Sequence, residues 1–268
     1  MTFDDEEKII KHFQECGCEN EKPLLWPPSK SVKRIFNLIH NENNWKQWTN
    51  NSGKNAPPPD FYNDKAKLML EIMRVDDHEQ IDAKNGKVTN PDLAHESELY
   101  KELVGKVPQH CNLHIISRTQ LPSKQDHNYT FYRNGFVRII EKHKKKIPLY
   151  KKNHPNKKII FFIEDHSSFY VETDAATATA EPYVNMPACG RPHLFCGDEG
   201  FIKCVLNSDI DYLIWHAPYK VFTSIAGIVE PIPPHIVVID VKAMVKGITT
   251  QQVPLHKYNA DNMISVEL

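Results

Sequence analysis

The chain has 268 residues, 40% hydrophobic and 25% charged, with Lys+Arg 33 against Asp+Glu 34 and a formal net charge of -1. This balance excludes a disordered chain and a coiled coil, and no apolar run approaches the roughly 18 residues that a membrane-spanning helix needs. Six cysteines over this length do not form a disulfide framework, and the acidic opening Met1-Thr2-Phe3-Asp4-Asp5-Glu6-Glu7 is unlike a signal peptide, so a cytoplasmic protein with reduced thiols is expected.

An N-terminal helical part is expected over roughly the first 50 residues. Thr2-Phe3-Asp4-Asp5 has the form of a capping box, Ile9, Ile10 and Phe13 follow at helical spacing, and Gly17 stops the helix. Ser31 opens a second helix with the stripe Val32, Ile35, Phe36 and Ile39. Asn41 to Pro59 is polar and turn-rich, ending in Pro57-Pro58-Pro59. Lys67 to Val75 predicts a strand with apolar residues on both faces, closed by Asp76-Asp77-His78. Residues 79–108 read as an acidic loop with a short helix near Ser97 to Leu103, followed by a strand at Leu113 to Ile116. His127 to Lys146 predicts the strongest helix, ended by Ile147-Pro148. Ile159 to Ile163 is a buried strand, and Thr173 to Ala180 is an exposed loop or hairpin tip. Gly197-Asp198 starts a further helix, and Tyr212 to Trp215 and Ile236 to Ile239 are two more buried strands. No repeat or linker divides the chain. Residues 1–268 therefore predict a single α/β domain, a mixed central sheet flanked by helices, with the Lys67 strand central and the Ile159 strand beside it.

Charge is unevenly spread. Between His127 and Lys158 stand ten bases, Arg133, Arg138, Lys142, Lys144, Lys145, Lys146, Lys151, Lys152, Lys157 and Lys158, against the single acid Glu141. The segment carries +9 and the rest of the chain -10, the pattern of a local polyanion footprint. Tyr129, Phe131, Tyr132, Phe136 and Tyr150 are interleaved with the bases, as base stacking would require. The plainer alternative is a solvated helix face followed by a charged loop.

Two carboxylates carry the strongest chemical signal. Asp60 follows an irregular entry, and Glu71 sits in the next strand between Leu70 and Ile72, where a glutamate needs a partner, a proton or a metal. Two such oxygen donors side by side suit Mg²⁺ (or Mn²⁺) for chemistry at a phosphate. Glu71 at a sheet edge against Lys67 is the structural alternative.

Asp60, Glu71, the long helix after them and the Ile159 to Ile163 strand resemble the PD-(D/E)xK nuclease superfamily, over roughly residues 30 to 165. The resemblance implies a restriction-endonuclease-like core: a helix, a three-stranded meander, a helix and another strand. It implies Asp60 and Glu71 as Mg²⁺ ligands and a lysine two residues beyond the glutamate that orients the attacking water. That position is Met73 here, so Lys67, or Lys65, is expected to substitute, since Arg74 points to the opposite face. The implied function is metal-dependent phosphodiester hydrolysis of nucleic acid, DNA in the first place, in restriction or host defence. Arg133, Arg138, Lys142, Lys144, Lys145, Lys146, Lys151 and Lys152 would contact the phosphates. The alternative is a non-catalytic nucleic-acid-binding or protein-interaction module on a nuclease-like fold.

Three weaker patterns remain. Glu230 with Asp240-Val241-Lys242 also gives an acid followed by D-x-K, although little chain follows Lys242 for a further helix and strand. Cys189, His193 and Cys196, with Cys204 beyond them, supply an incomplete zinc set, and His193 and Asp198 could line a pocket at a helix start. His78 beside Asp76-Asp77 ends the strand that carries Glu71. No phosphate-cradling P-loop, G-x-G-x-x-G or G-x-S-x-G motif is present.

Overall fold

A computed structural model describes residues 5–15, 22–52, 59–78, 80–81, 88–90, 127–173, 190–223, 229–231 and 234–266, with isolated positions between 94 and 106. The expected strand at Leu113 to Ile116, most of the 97–103 helix and the 174–180 loop lie outside these residues.

Seven strands form the central sheet. In chain order they are β1 (Leu24–Trp26), β2 (Thr49–Asn50), β3 (Phe61–Asn63), β4 (Leu68–Val75), β7 (Lys158–Asp165), β10 (Tyr212–His216) and β13 (Ile236–Asp240). The omitted numbers belong to short strands outside it: β5 (Gln80–Ile81) with β6 (Val88–Thr89), β8 (Phe169–Glu172) with β9 (Arg191–Pro192) and β14 (Met263–Val266), and β11 (Val221–Thr223) with β12 (Val229–Pro231). The spatial order is β1-β13-β10-β7-β4-β3-β2. β2, β3 and β4 make an antiparallel meander. β7 runs parallel to both β4 and β10, while β13 is antiparallel to β10 and parallel to β1. The expected core pairing of the Lys67 and Ile159 strands is present.

Helices cover both faces, which is why β4, β7 and β10 read as unbroken apolar runs. On one face, α1 (Asp5–Glu15) and α2 (Lys30–His40) bury Ile9, Ile10, Phe13, Val32, Ile35 and Ile39 on Leu70, Ile72, Ile160, Phe162 and Ile214. On the other, α4 (Tyr129–Lys144), α5 (Ile147–Asn153), α6 (Glu199–Leu206) and α7 (Val241–Thr249) pack on Met69, Met73, Phe161, Ile163, Leu213 and Trp215. A short helix, α3 (Glu42–Trp45), follows α2 directly.

Local chemistry sets several boundaries. Ser29, not Ser31, caps α2, its hydroxyl accepting from Val32 N at 3.2 Å. Asn128 caps α4 through Thr130 N and Phe131 N, and Asp198 caps α6 through Gly200 N. Ile147-Pro148 does not end the helical region but opens α5, because proline in a first turn has no intrahelical bond to lose. Gly247 in α7 is required by close approach: a Cβ there would meet the Trp26 ring at 2.7 Å. No helix among the described residues is long and apolar enough to cross a membrane.

Candidate functional site

Asp60 lies one residue before β3. Extending the Phe61↔Leu70 register by one step sets it across from Glu71, on the face covered by α4. Asp60 Oδ2 accepts from Ile72 N at 2.7 Å. Burial and then the Glu71 charge push the Asp60 carboxyl up to about 8. Glu71 is 3% exposed. Its Oε1 accepts from Tyr150 OH at 2.7 Å and lies 2.6 Å from His143 Nδ1, while its Oε2 is buried without a hydrogen-bond partner. Burial and Glu71 together hold the Tyr150 phenol well above its usual range. Two carboxylates with an unanswered oxygen form a donor set that fits a hard divalent cation.

Lys67 is not part of this group. It is exposed in the turn before β4, at a positive φ of 56°, and four residues of strand put roughly 13 Å between it and Glu71. Met73 is buried in the α4-side core, and Arg74 faces α1 and α2 as expected. The lysine whose charge Asp60 feels is Lys146, between α4 and α5.

The basic segment divides into occupied and open positions. Lys144 binds Glu141 at 2.7 Å and the Cys204 carbonyl at 2.9 Å. Lys151 pairs with Asp209 at 3.2 Å and Lys157 with Asp64 at 2.8 Å, while Lys158 lies over the Tyr212 ring. Arg133 packs over Tyr129, with its stem against Gly200, and Arg138 is half-buried. Lys142, Lys145 and Lys152 are exposed, as is Lys158 beside its ring contact. Tyr129, Tyr132, Phe136 and Tyr150 are buried core side chains, so of the interleaved aromatics only Phe131 stays partly accessible.

A larger polar assembly sits at the shared carboxyl edge of the parallel strands β4, β7 and β10, the edge at which open α/β sheets commonly bind ligands. On the α4 side, Asp77 is fully buried and its Oδ2 accepts from Ser168 N, Ser168 Oγ and Tyr170 OH, with His127 Nδ1 at 3.1 Å. Burial opposes ionisation of Asp77, but His127, His78 and Tyr170 overcome it and hold the carboxyl well below the usual range. Asp165 beside it accepts from Tyr132 OH at 2.5 Å and Trp215 Nε1 at 2.9 Å. Lys220, only 3% exposed, reaches Ser167 Oγ at 2.7 Å, the Ser168 carbonyl at 2.9 Å and Asp165 at 3.3 Å.

On the α1 side of the same edge stand Glu164 and His216, with His12 and His166 beside Glu164. Burial works against the Glu164 charge, yet the neighbouring imidazoles of His12 and His166 hold its pKa down to about 2. Burial lowers the His216 imidazole to about 3, so it is neutral near pH 7. The one sequence signal for this edge is that polar residues follow three apolar runs directly, at Val75-Asp76-Asp77, Ile163-Glu164-Asp165 and Trp215-His216.

The remaining patterns have structural roles. His193 Nε2 lies 2.8 Å from Asp198 Oδ2, which also accepts from Tyr129 OH, so both are buried around the α6 cap. Burial pushes the Cys196 thiol up to about 11 and Cys204 to about 12, and Cys189 lies outside the described residues. Asp240 caps α7 through Ala243 N, and Lys242 is exposed on α7, paired with Asp211 at 3.3 Å. The D-x-K thus straddles a strand end and a helix start, Lys242 itself lying in α7, and the only later strand among the described residues, β14, joins the separate β14-β8-β9 sheet. β12, with Glu230, belongs to a separate two-stranded sheet.

No family model matches the chain, and no curated protein or solved structure compared with it is significantly similar.

Proposed function

We propose that this protein is a metal-dependent hydrolase of nucleic-acid phosphodiester bonds, of the PD-(D/E)xK type, with Asp60 and Glu71 as the ligands of Mg²⁺ or Mn²⁺. The observation that carries the reading is the carboxylate pair: Asp60 is pushed up to about 8 beside a Glu71 whose Oε2 has no partner. The Lys146 charge does not offset burial and Glu71 at this pair, and a divalent ion would supply the further positive charge. The element order α2, the β2-β3-β4 meander, α4 and β7 is the order that the resemblance implies, and this supports a restriction-endonuclease-like core. The chemistry such an ion supplies when bound is polarisation of the phosphate and activation of water. Within the chain, His143 and Tyr150 fix the Glu71 carboxylate, and Lys146 is better placed than Lys67 to supply the missing lysine's charge. The exposed Lys142, Lys145 and Lys152 on and after the end of α4 would hold the backbone of the nucleic acid.

A second reading, a nuclease-like module that binds without cutting, is favoured by Met73, which buries an apolar side chain at the lysine's position. Cleavage of single- and double-stranded DNA in Mg²⁺ or Mn²⁺, with anisotropy binding in EDTA, separates the two. Cleavage lost in Glu71→Ala, and reduced more by Lys146→Ala than by Lys67→Ala, is the expected result. Binding without cleavage selects the second reading, and neither binding nor cleavage overturns both.

A further inference from the structure

The carboxylate pair uses the sheet face beneath α4. The opposite face carries ligating side chains that this function leaves unused. Glu164 and His216 are register partners at the ends of β7 and β10, so they leave the sheet side by side toward α1. His12 comes down from α1, its Nδ1 3.6 Å from Glu164 Oε1. His166, just after β7, sets its Nε2 3.1 Å from Glu164 Oε2. One ligand atom from each of His12, Glu164 and His216 lies within 4.8 Å of the other two. Small side-chain rotations bring three such donors onto one ion with bonds of about 2.0–2.2 Å.

His216 decides what the cluster is for. It is 0% exposed, and neither ring nitrogen has a hydrogen-bond partner. A neutral imidazole has one donating and one accepting nitrogen, and burial normally requires partners for them. Its ring is held edge-on by Phe13 and Phe162, contacts that fix the position without answering either nitrogen. Arg74, the register partner of Glu164 on β4, is near enough to Asp76 to lower its carboxyl slightly, and its Nε is buried without a hydrogen-bond partner. His12 keeps 37% of its side chain exposed, which leaves a path from solvent.

We propose that His12, Glu164 and His216 bind a transition-metal dication of the Zn²⁺ class, with His166 at the edge of the site. Two imidazoles and one carboxylate favour such an ion over Mg²⁺, which prefers oxygen donors throughout. Because His12 belongs to a helix and the other two ligands to sheet strands, the ion fastens α1 to the sheet. The other group of similar spacing, Asp77, His78 and His127, also has an oxygen without a hydrogen-bond partner, Asp77 Oδ1. It is a weaker choice because Asp77 Oδ2 is held by Ser168 and Tyr170 and lies 3.1 Å from His127 Nδ1, whereas both His216 nitrogens are unanswered.

The test is titration of the chelator-treated full chain with Zn²⁺ by calorimetry, and with Co²⁺ by visible absorption. One equivalent of Zn²⁺ with micromolar or tighter affinity, ligand-field bands with Co²⁺ and a higher Tm with Zn²⁺ are expected. His216→Leu keeps an apolar side chain in the aromatic contact and should abolish all three. His12→Gln, at the accessible end, should weaken binding at least about tenfold with the fold intact. Absence of stoichiometric Zn²⁺ binding, equal affinity in His12→Gln, or loss in His127→Gln or Glu71→Gln instead would overturn the proposal. These ligands are separate from Asp60 and Glu71, so nucleic-acid cleavage can fail while Zn²⁺ binding holds, and the reverse.

Discussion

Asp60→Asn tests the carboxylate pair without assuming catalysis. The Asp60 carboxyl rises from 3.8 to about 8, through burial first and the Glu71 charge second, while the Ile72 N–H and Lys146 pull it down. Glu6 adds to the rise, and Tyr150 and His143 meet the pair from α5 and α4. A pKa raised on folding means that the native state keeps a proton which the unfolded state releases. Stability from this group is therefore complete below about pH 4 and falls as pH rises toward 8. Some four units at about 1.36 kcal/mol each set a ceiling near 6 kcal/mol. Proton sharing with Glu71 and side-chain relaxation recover much of that, leaving about 2 kcal/mol as the expected effect. Asparagine keeps an acceptor for Ile72 N and carries no charge. In EDTA the variant should match the wild type near pH 4 and exceed it at pH 8 by about 2 kcal/mol, or about 4–8 °C in Tm for a chain of this size. Mg²⁺ should raise the Tm of the wild type at pH 8 and leave the variant unmoved. Calorimetry at three pH values gives the difference curve, in which the other titrating groups largely cancel. A variant that parallels the wild type at every pH, or is less stable at pH 8, would refute the reasoning.

Lys220→Met should cost about 3–5 kcal/mol in urea unfolding, because it leaves the Asp165 carboxylate buried without its counter-charge. Replacing Lys142, Lys145 and Lys152 together by Ala should flatten the slope of log affinity against log salt for DNA by up to about 2.7, while Lys144→Ala should act mainly on stability through its lost bonds to Glu141 and Cys204. An unchanged slope in the triple variant would remove the phosphate-contact role. Glu164, held down to about 2, contributes stability that is present above about pH 4.5 and lost as pH falls toward 2. Acid unfolding followed by circular dichroism should show this loss, and Glu164→Gln should not.

The buried strands were legible because burial on both faces makes each an apolar run, unbroken at Ile159 to Ile163 and interrupted only by Glu71 at Met69 to Met73. The start of α6 was legible from its capping residue Asp198, whereas α2 opens at Ser29 and not Ser31, and α7, capped by Asp240, was not expected. The order of strands was less so: β2 and β3 are two and three residues long and carry no period of their own. Asp60 and Glu71 were legible as a pair because a hairpin brings nearby segments into register. His143 and Tyr150, more than 70 residues away from Glu71, were not. Nor could the basic run reveal which of its members would be spent on Glu141, Asp209 and Asp64, since those partners are set by packing and not by spacing.

The carboxyl edge shows why pairing decides chemistry here. Glu164 and Asp165 are neighbours at the end of β7, so the pleat sends one toward α1 and the other toward α4. Glu164 meets histidines from α1 and β10 on its side, whereas Asp165 meets Tyr132, Trp215 and Lys220 on the other. A one-residue slip of β7 would exchange the two carboxylates and present each to the other's partners. The apolar residues Ile159 to Ile163 would accept that exchange, because both faces of the strand are buried in hydrophobic core. The charged ends would not, for His216 would then face the α1 cluster without its register partner Glu164. The register of β7 is thus specified less by its core than by the two polar clusters at its end, and each cluster exists only while that register holds.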